Sequence, residues 1–158
     1  MRMTVPEGVT THIDRDTASA TAVVHATPEE VFEFIRRPAN HAVISGDKSV
    51  QGTTGGPERL ALGDVFGMKM RIGLPYRVRS TVVELEENRR IAWCHGGKHR
   101  WRWALEQADE ATTSVTETFD LSSSRFPSAL RLIGYPQRHE ANVAASVANL
   151  AAHLAKSQ

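Results

Sequence analysis

Residues 136–155 read PQRHEANVAASVANLAAHLA. The run has no glycine and, after Pro136, no proline, and a helix over it would be about 30 Å long. Leu132, Pro136, His139, Val143, Val147, Leu150 and Leu154 recur at helical spacing, so at about 100° per residue they share one narrow face. That face is thin, with Ala144, Ala148 and Ala151 around a few valines and leucines. A helix with so slim an apolar stripe lies on a surface rather than being enclosed by one. The rest of the chain has to supply that surface.

Immediately upstream, Pro127–Ile133 starts a helix that Gly134-Tyr135-Pro136 should break, because proline disfavours helical geometry in the residue before it. Ser122–Phe126 is a loop. Thr112–Leu121 alternates, with Val115, Glu117, Phe119 and Leu121 on one side and Ser114, Thr116, Thr118 and Asp120 on the other, which predicts a strand. Arg89–His95 and Lys98–Ala108 form a hairpin around Gly96-Gly97. A three-residue loop sets Trp93 against Trp101, Ile91 against Trp103 and His95 against His99. A two-residue loop would put Trp93 against Arg100 and turn every side chain to the wrong face, so the three-residue loop is expected.

Asp64–Gly73 alternates in the same way: Phe66, Met68, Met70 and Ile72 against Val65, Gly67, Lys69 and Arg71. Tyr76–Leu85 returns after Gly73-Leu74-Pro75. A three-residue loop places Ile72 opposite Tyr76, Met70 opposite Val78, Met68 opposite Ser80 and Phe66 opposite Val82. Val83 and Leu85 break the parity and predict a bulge. Ser49–Thr54 is a further short strand, closed by a turn at Gly55-Gly56-Pro57.

Nearer the N-terminus, Thr27-Pro28-Glu29-Glu30 carries a helix-start signature. Thr27 caps, Pro28 suits the first position, and Glu30 completes a capping box. Val31, Phe34 and Ile35 mark the buried side of a short helix ending near Arg37-Pro38, and Pro38–Ile44 adds a second helical turn. Thr17–His25, rich in Thr, Val and Ala, predicts the first strand. Residues 1–16 read as a flexible lead-in, and 17–156 as a single domain. Two short helices between the first two strands, a run of antiparallel strands and a long terminal helix define an α+β chain.

Composition sets broad limits. A chain of 158 residues fits one domain, and net charge +1 with 41% hydrophobic residues gives no sign of a nucleic-acid partner. Cys94 is the sole cysteine, which rules out an internal disulfide or a cysteine-based zinc cage. The first residues lack the apolar core of a secretory signal, and no run is long enough for a membrane span. A soluble, cytoplasmic monomer or homodimer is expected.

The ordered segments ATPEEVFEFI at 26–35, GDVFGMKMRIGLPYRVRSTVVELEENRRIAWCH at 63–95, HRWRW at 99–103, SVTETFD at 114–120 and LRLIGYPQRHEANV at 130–143 resemble the START/birch-pollen-allergen (SRPBCC) superfamily, in particular its bacterial polyketide cyclase/dehydrase-like members. The resemblance implies a helix-grip fold, in which a curved sheet wraps the terminal helix around a cavity for lipids, polyketides, steroids or other apolar molecules. Some members are cyclases or aromatases. Many relatives carry an Asp soon after the first helix, where this chain reads RRPANH, so no role is carried over there.

The candidate ligand-binding residues lie on the concave face: Phe66, Met68, Met70, Tyr76, Val78, Trp93, Trp101, Trp103 and Phe119, opposite Val143 on the helix. Such a stripe serves equally as an ordinary core; methionines and the Ala/Val-rich helix favour an adaptable cavity. His95, His99, Glu117, His139 and Tyr76 are the polar groups that parity points inward. A carboxylate between Val115 and Phe119 needs a partner, a raised pKa or water, and His139 or an arginine is the expected partner for Glu117. The same polar groups are candidates for acid/base work in a cyclase/aromatase or dehydratase, or for structural pairing only. Lys69, Arg71, Arg77, Arg79, Arg100 and Arg102 form a basic stripe on the outer face, either solvated or docking another protein. His139-Glu140 fails as a zinc-protease motif because residue 143 is valine, and no phosphate, dinucleotide or serine-hydrolase loop occurs. No cofactor or metal is expected, and no catalytic residue is assignable.

Overall fold

The computed structural model describes residues 5–156. One eight-stranded antiparallel sheet, in spatial order β1-β2-β8-β7-β6-β5-β4-β3, forms the frame. Its strands are β1 (Thr10–Ile13), β2 (Thr17–Val24), β3 (Val50–Gly55), β4 (Val65–Ile72), β5 (Leu74–Glu86), β6 (Arg90–Cys94), β7 (Arg100–Gln107) and β8 (Thr113–Asp120). The helices are α1 (Pro28–Ile35), α2 (His41–Ile44), which follows a 3-10 turn at Pro38–Asn40, α3 (Pro127–Leu132) and α4 (Tyr135–Lys156). This is the helix-grip α+β fold.

The capping box forms as the sequence predicts. Glu30 N–H donates to Thr27 Oγ1 at 3.3 Å, and Thr27 N–H donates to Glu30 Oε2 at 2.8 Å. The β6–β7 register is also as expected, with Trp93 opposite Trp101 and Ile91 opposite Trp103, and the β5 bulge falls between Val82 and Glu84.

Three expectations are corrected. Residues 10–13 are not part of a loose lead-in but pair with β2 as an edge strand, so the short helices lie between the second and third strands. TTHI is too short and too polar to show a period. The β4–β5 hairpin turns more tightly than expected, through Gly73 (φ 73°), setting Met70 opposite Tyr76 and Met68 opposite Val78. The shift is two residues, which preserves the face of every side chain. Finally, Gly134 (φ 69°) separates α3 from α4, and Leu132 on the far side of that break is exposed rather than part of the helix's buried stripe.

The placement of α4 follows from β2. Its inward residues are Ala18, Ala20 and Ala22, all buried, and their small side chains let the helix approach β2 and β8 closely. Val143, Val147 and Leu150 are fully buried there. The inward residues of β4–β7 are large, and over them the helix stands off. The loop after α2 holds it in place. Gly46 N–H donates to Ser146 Oγ at 3.0 Å, and Asp47 N–H to Asn142 Oδ1 at 3.1 Å. A Cβ on Gly46 would collide with the Asn142 carbonyl, so only glycine permits this approach.

Candidate functional site

The stand-off between α4 and β4–β7 is a cavity of about 180 Å³. Met68, Met70, Tyr76, Val78, Trp93, His95, Trp101, Trp103 and Glu117 form its sheet side, and His139 lies on its helix side. Phe66, Phe119 and Val143 do not line it: all three are buried behind the lining. Alternation assigns a side chain to a face but not to a depth within it. The structure adds wall residues that the sequence reading passed over, chiefly His41 and Ile44 from α2, Asp47 and Ser49 from the following loop, and Tyr135, Asn142 and Ser146 from α4. His41 carried no signal because α2 is a single turn without a period. Asn142 and Ser146 could have been found, since they sit three and seven residues after His139, on the same helix face.

Aromatic contacts fix the rings. His41 stacks on Trp93 with centroids 4.6 Å apart and an interplanar angle of 17°. Its Nε2 donates to the Ile35 carbonyl at 2.8 Å, which leaves Nδ1 of the neutral ring as an acceptor. His139 lies 4.3 Å from the Phe119 ring and 4.8 Å from that of Tyr135, and meets Trp101 edge-on. His95 and His99 face each other across the hairpin end at 5.4 Å. Among the described residues no three His, Cys, Asp or Glu are grouped to hold a metal ion.

Glu117 and four histidines of this wall are held in their uncharged forms. Burial pushes Glu117 well above the usual carboxylate range; the Ser146 hydroxyl bonded to it pulls the other way, and the Asp47 charge adds to the rise. The expected partner, His139 or an arginine, is therefore replaced by a neutral hydroxyl and by protonation. Burial likewise lowers His41, His99 and His139 to about 4, and lowers His95. A protonated carboxyl donates one hydrogen bond and accepts others, and a neutral imidazole does one of each.

Among the described residues, five buried side-chain atoms make no hydrogen bond to another protein group: His41 Nδ1, His95 Nδ1, His99 Nδ1, Glu117 Oε2 and His139 Nε2. All five residues line this one cavity. Buried polar groups are otherwise nearly always paired, and leaving one unpaired costs about 1–3 kcal/mol. The cavity can thus hold an apolar body while presenting several uncharged hydrogen-bonding atoms to it.

The outer face is a separate matter. Arg100 and Arg102 both bond to Glu84, and Arg102 also reaches Asp120 at 3.3 Å. The Arg102 hydrogen bonds in particular hold the Glu84 carboxyl at about 2. This part of the basic stripe is internally balanced.

A curved antiparallel sheet that grips a long helix over an aromatic cavity defines a helix-grip protein. The chain belongs to the family described as polyketide cyclase / dehydrase and lipid transport, whose profile matches residues 15–155. It is 33% identical over 143 residues to the uncharacterized protein Rv0088 of Mycobacterium tuberculosis, covering 87% of this chain and 64% of that protein. The chain therefore spans somewhat less than two thirds of that relative's length. Among solved structures it resembles a Rhodobacter sphaeroides protein (TM-score 0.68, 14% identity, 95% of this chain and 99% of the other). It is similarly close to Ms6760 of Mycobacterium smegmatis (TM-score 0.65, 17% identity, 95% and 98%). These likenesses carry the fold. No helix among the described residues is long and apolar enough to cross a membrane.

Proposed function

We propose that the protein binds a small, uncharged, oxygen-bearing apolar molecule, lipid-like or polyketide-like in character, between sheet and helix. The observation that carries this reading is the convergence of all five unpartnered buried polar atoms on one aromatic cavity. A plain core would have been filled with aliphatic side chains at those positions. At about 180 Å³ the enclosed space compares with the roughly 150 Å³ void that admits benzene, so it suits one or two rings, with any longer chain leaving through the opening. Carboxylates fit poorly, because the wall offers no buried cation to pair them.

The test is a thermal-shift panel of phenols, quinones, aromatic polyketides, sterols and fatty acids. A native-state ligand must raise the melting temperature. Uncharged ring compounds bearing carbonyl or hydroxyl groups should do so and saturated fatty acids should not; a flat response at saturating concentrations rejects the reading.

A second reading, cyclase/aromatase or dehydratase chemistry on such a molecule, draws on one further observation. A neutral carboxyl and a neutral imidazole, Glu117 and His139, face the same cavity and could give and take a proton. Glu117→Gln keeps a hydrogen-bond donor but cannot transfer a proton. Turnover lost with binding retained supports catalysis, and unchanged turnover removes Glu117 from it.

A further inference from the structure

We infer that the end of the molecule around the cavity mouth docks on an anionic lipid surface. Hairpin connections alternate between the two ends of an antiparallel sheet, so topology decides what gathers where. At one end stand the β4–β5 turn at Gly73, the β6–β7 turn, the loop at 122–126 and α3. The cavity opens at this end: Ile72 and Tyr76 line it yet are exposed, and Tyr135 at the start of α4 lines it from the other side. Ser123 and Ser124 hydroxyls donate to the Lys98 and Gly97 carbonyls, which ties the loop before α3 to the β6–β7 turn.

The same end displays large apolar side chains that are exposed. Leu74 at the hairpin tip is 79% exposed and Leu132 at the end of α3 is 89% exposed, and Ile72, Phe126 and Ile133 are also exposed. Single exposed apolar residues need no explanation, but a group confined to one end and bordering a cavity mouth does.

Charge supplies the identity of the partner. Lys69, Arg71 and Arg77 stand on the outer side of the hairpin tip, and Lys98, Arg125 and Arg138 on the opposite side of the mouth. None of these six side chains has an ion-pair or hydrogen-bond partner among the described residues. Lys69 sits directly across the ladder from Arg77, a like-charge pairing that works against folding. Of the acidic side chains near this end, Asp16 is paired with Arg131 and Asp120 with Arg102, while Glu140 accepts from the Thr11 hydroxyl and Asp47 from the Ser45 hydroxyl and the Ser49 N–H. At the far end Arg36, Arg37, Arg59, Arg89 and Arg90 are paired with Glu33, Glu86 and Glu87, whereas the six cations around the mouth have no such partner among the described residues. Aliphatic tips backed by free cations match a bilayer, where the tips enter the headgroup boundary and the cations meet acidic lipids. A nucleic acid would use the cations but leave the aliphatic tips without a role.

The inference rests on the cavity reading for its purpose, delivery of the ligand to or from a bilayer, but its test does not. Purified protein is sedimented with sucrose-loaded vesicles of phosphatidylcholine alone or with about one third phosphatidylglycerol. Binding is expected only with the acidic lipid, and it should fall in high salt. Leu74→Asp, at a position outside the core, should weaken it roughly tenfold or more. Each of Arg71→Gln and Arg77→Gln should weaken it about fivefold. Wild-type protein left in the supernatant with both vesicles overturns the inference, as does equal binding to neutral vesicles or a Leu74→Asp variant that binds like wild type. Leu74→Asp should keep the ligand-induced thermal shift. Vesicle binding without any thermal shift would remove the cavity reading alone, and a thermal shift without vesicle binding would remove the docking alone.

Discussion

Replacing Glu117 with Gln should stabilise the protein increasingly as pH rises. In the unfolded chain this carboxyl ionises near its ordinary 4.5, whereas burial holds it protonated well above that value in the folded chain. Over the interval between the two, the native state binds one proton that the unfolded state has released, so stability falls as pH increases. The slope is about 1.4 kcal/mol per pH unit for a single proton, and it persists until the native carboxyl itself ionises. Gln keeps the size and a polar end at position 117 but cannot titrate. The stability difference between variant and wild type should therefore widen above pH 5, by up to about 1.4 kcal/mol per pH unit while the native carboxyl stays protonated. For a chain of this length that corresponds to roughly 3–5 °C of melting temperature per unit. Urea denaturation of both proteins at pH 5, 6, 7 and 8 measures it directly. A constant difference across the range would mean that Glu117 is ionised and compensated in the native state, and would refute the protonated carboxyl.

The histidines produce the opposite limb. His41 falls from 6.5 to about 4 by burial, so below pH 6.5 the unfolded chain takes up a proton the native ring refuses, and stability declines toward pH 4. His41 alone is worth about 3 kcal/mol there, and His41→Gln should make the acid limb shallower in the same denaturation series; an equally steep limb would exclude it. Gly46→Ala should lose about 1–3 kcal/mol, because the added methyl meets the Asn142 backbone; an unchanged melting curve would show that the loop can move aside. Thr27→Ala should cost about 1 kcal/mol through loss of the cap on α1, and a thermal melt equal to wild type would count against it.

Much of the frame was legible in the sequence because parity and capping are local. Trp93 against Trp101 followed from the requirement that tryptophans share a face, and α1 from Thr27 and Glu30. The β4–β5 register was not legible, since two loops differing by two residues give the same alternation. β1 was missed because four residues containing two threonines and a histidine show no period. Within the site, the methionine, tryptophan and glutamate positions and His95 came from alternation along strands, and His139 from helical spacing. The division between Phe66 and Phe119, which back the wall, and Trp93 and Trp101, which form it, depends on how far α4 stands from each strand, a tertiary distance no local pattern encodes. His41 depends on the same distance, because it reaches Trp93 only once α2 is folded under the sheet's edge.

The alanine column of β2 has a consequence for how such a cavity changes size. Ala18, Ala20 and Ala22 touch one side of α4 while the cavity lies on the other, so the helix is a beam resting on a fulcrum. Larger side chains at these positions would hold α4 further from the sheet and deepen the space over the tryptophans, with no cavity-lining residue altered. On the proposed reading, capacity and chemistry are tuned by separate residues: β2 sets how near the helix lies to the sheet, and Glu117 with the histidines sets what a bound molecule would have to carry.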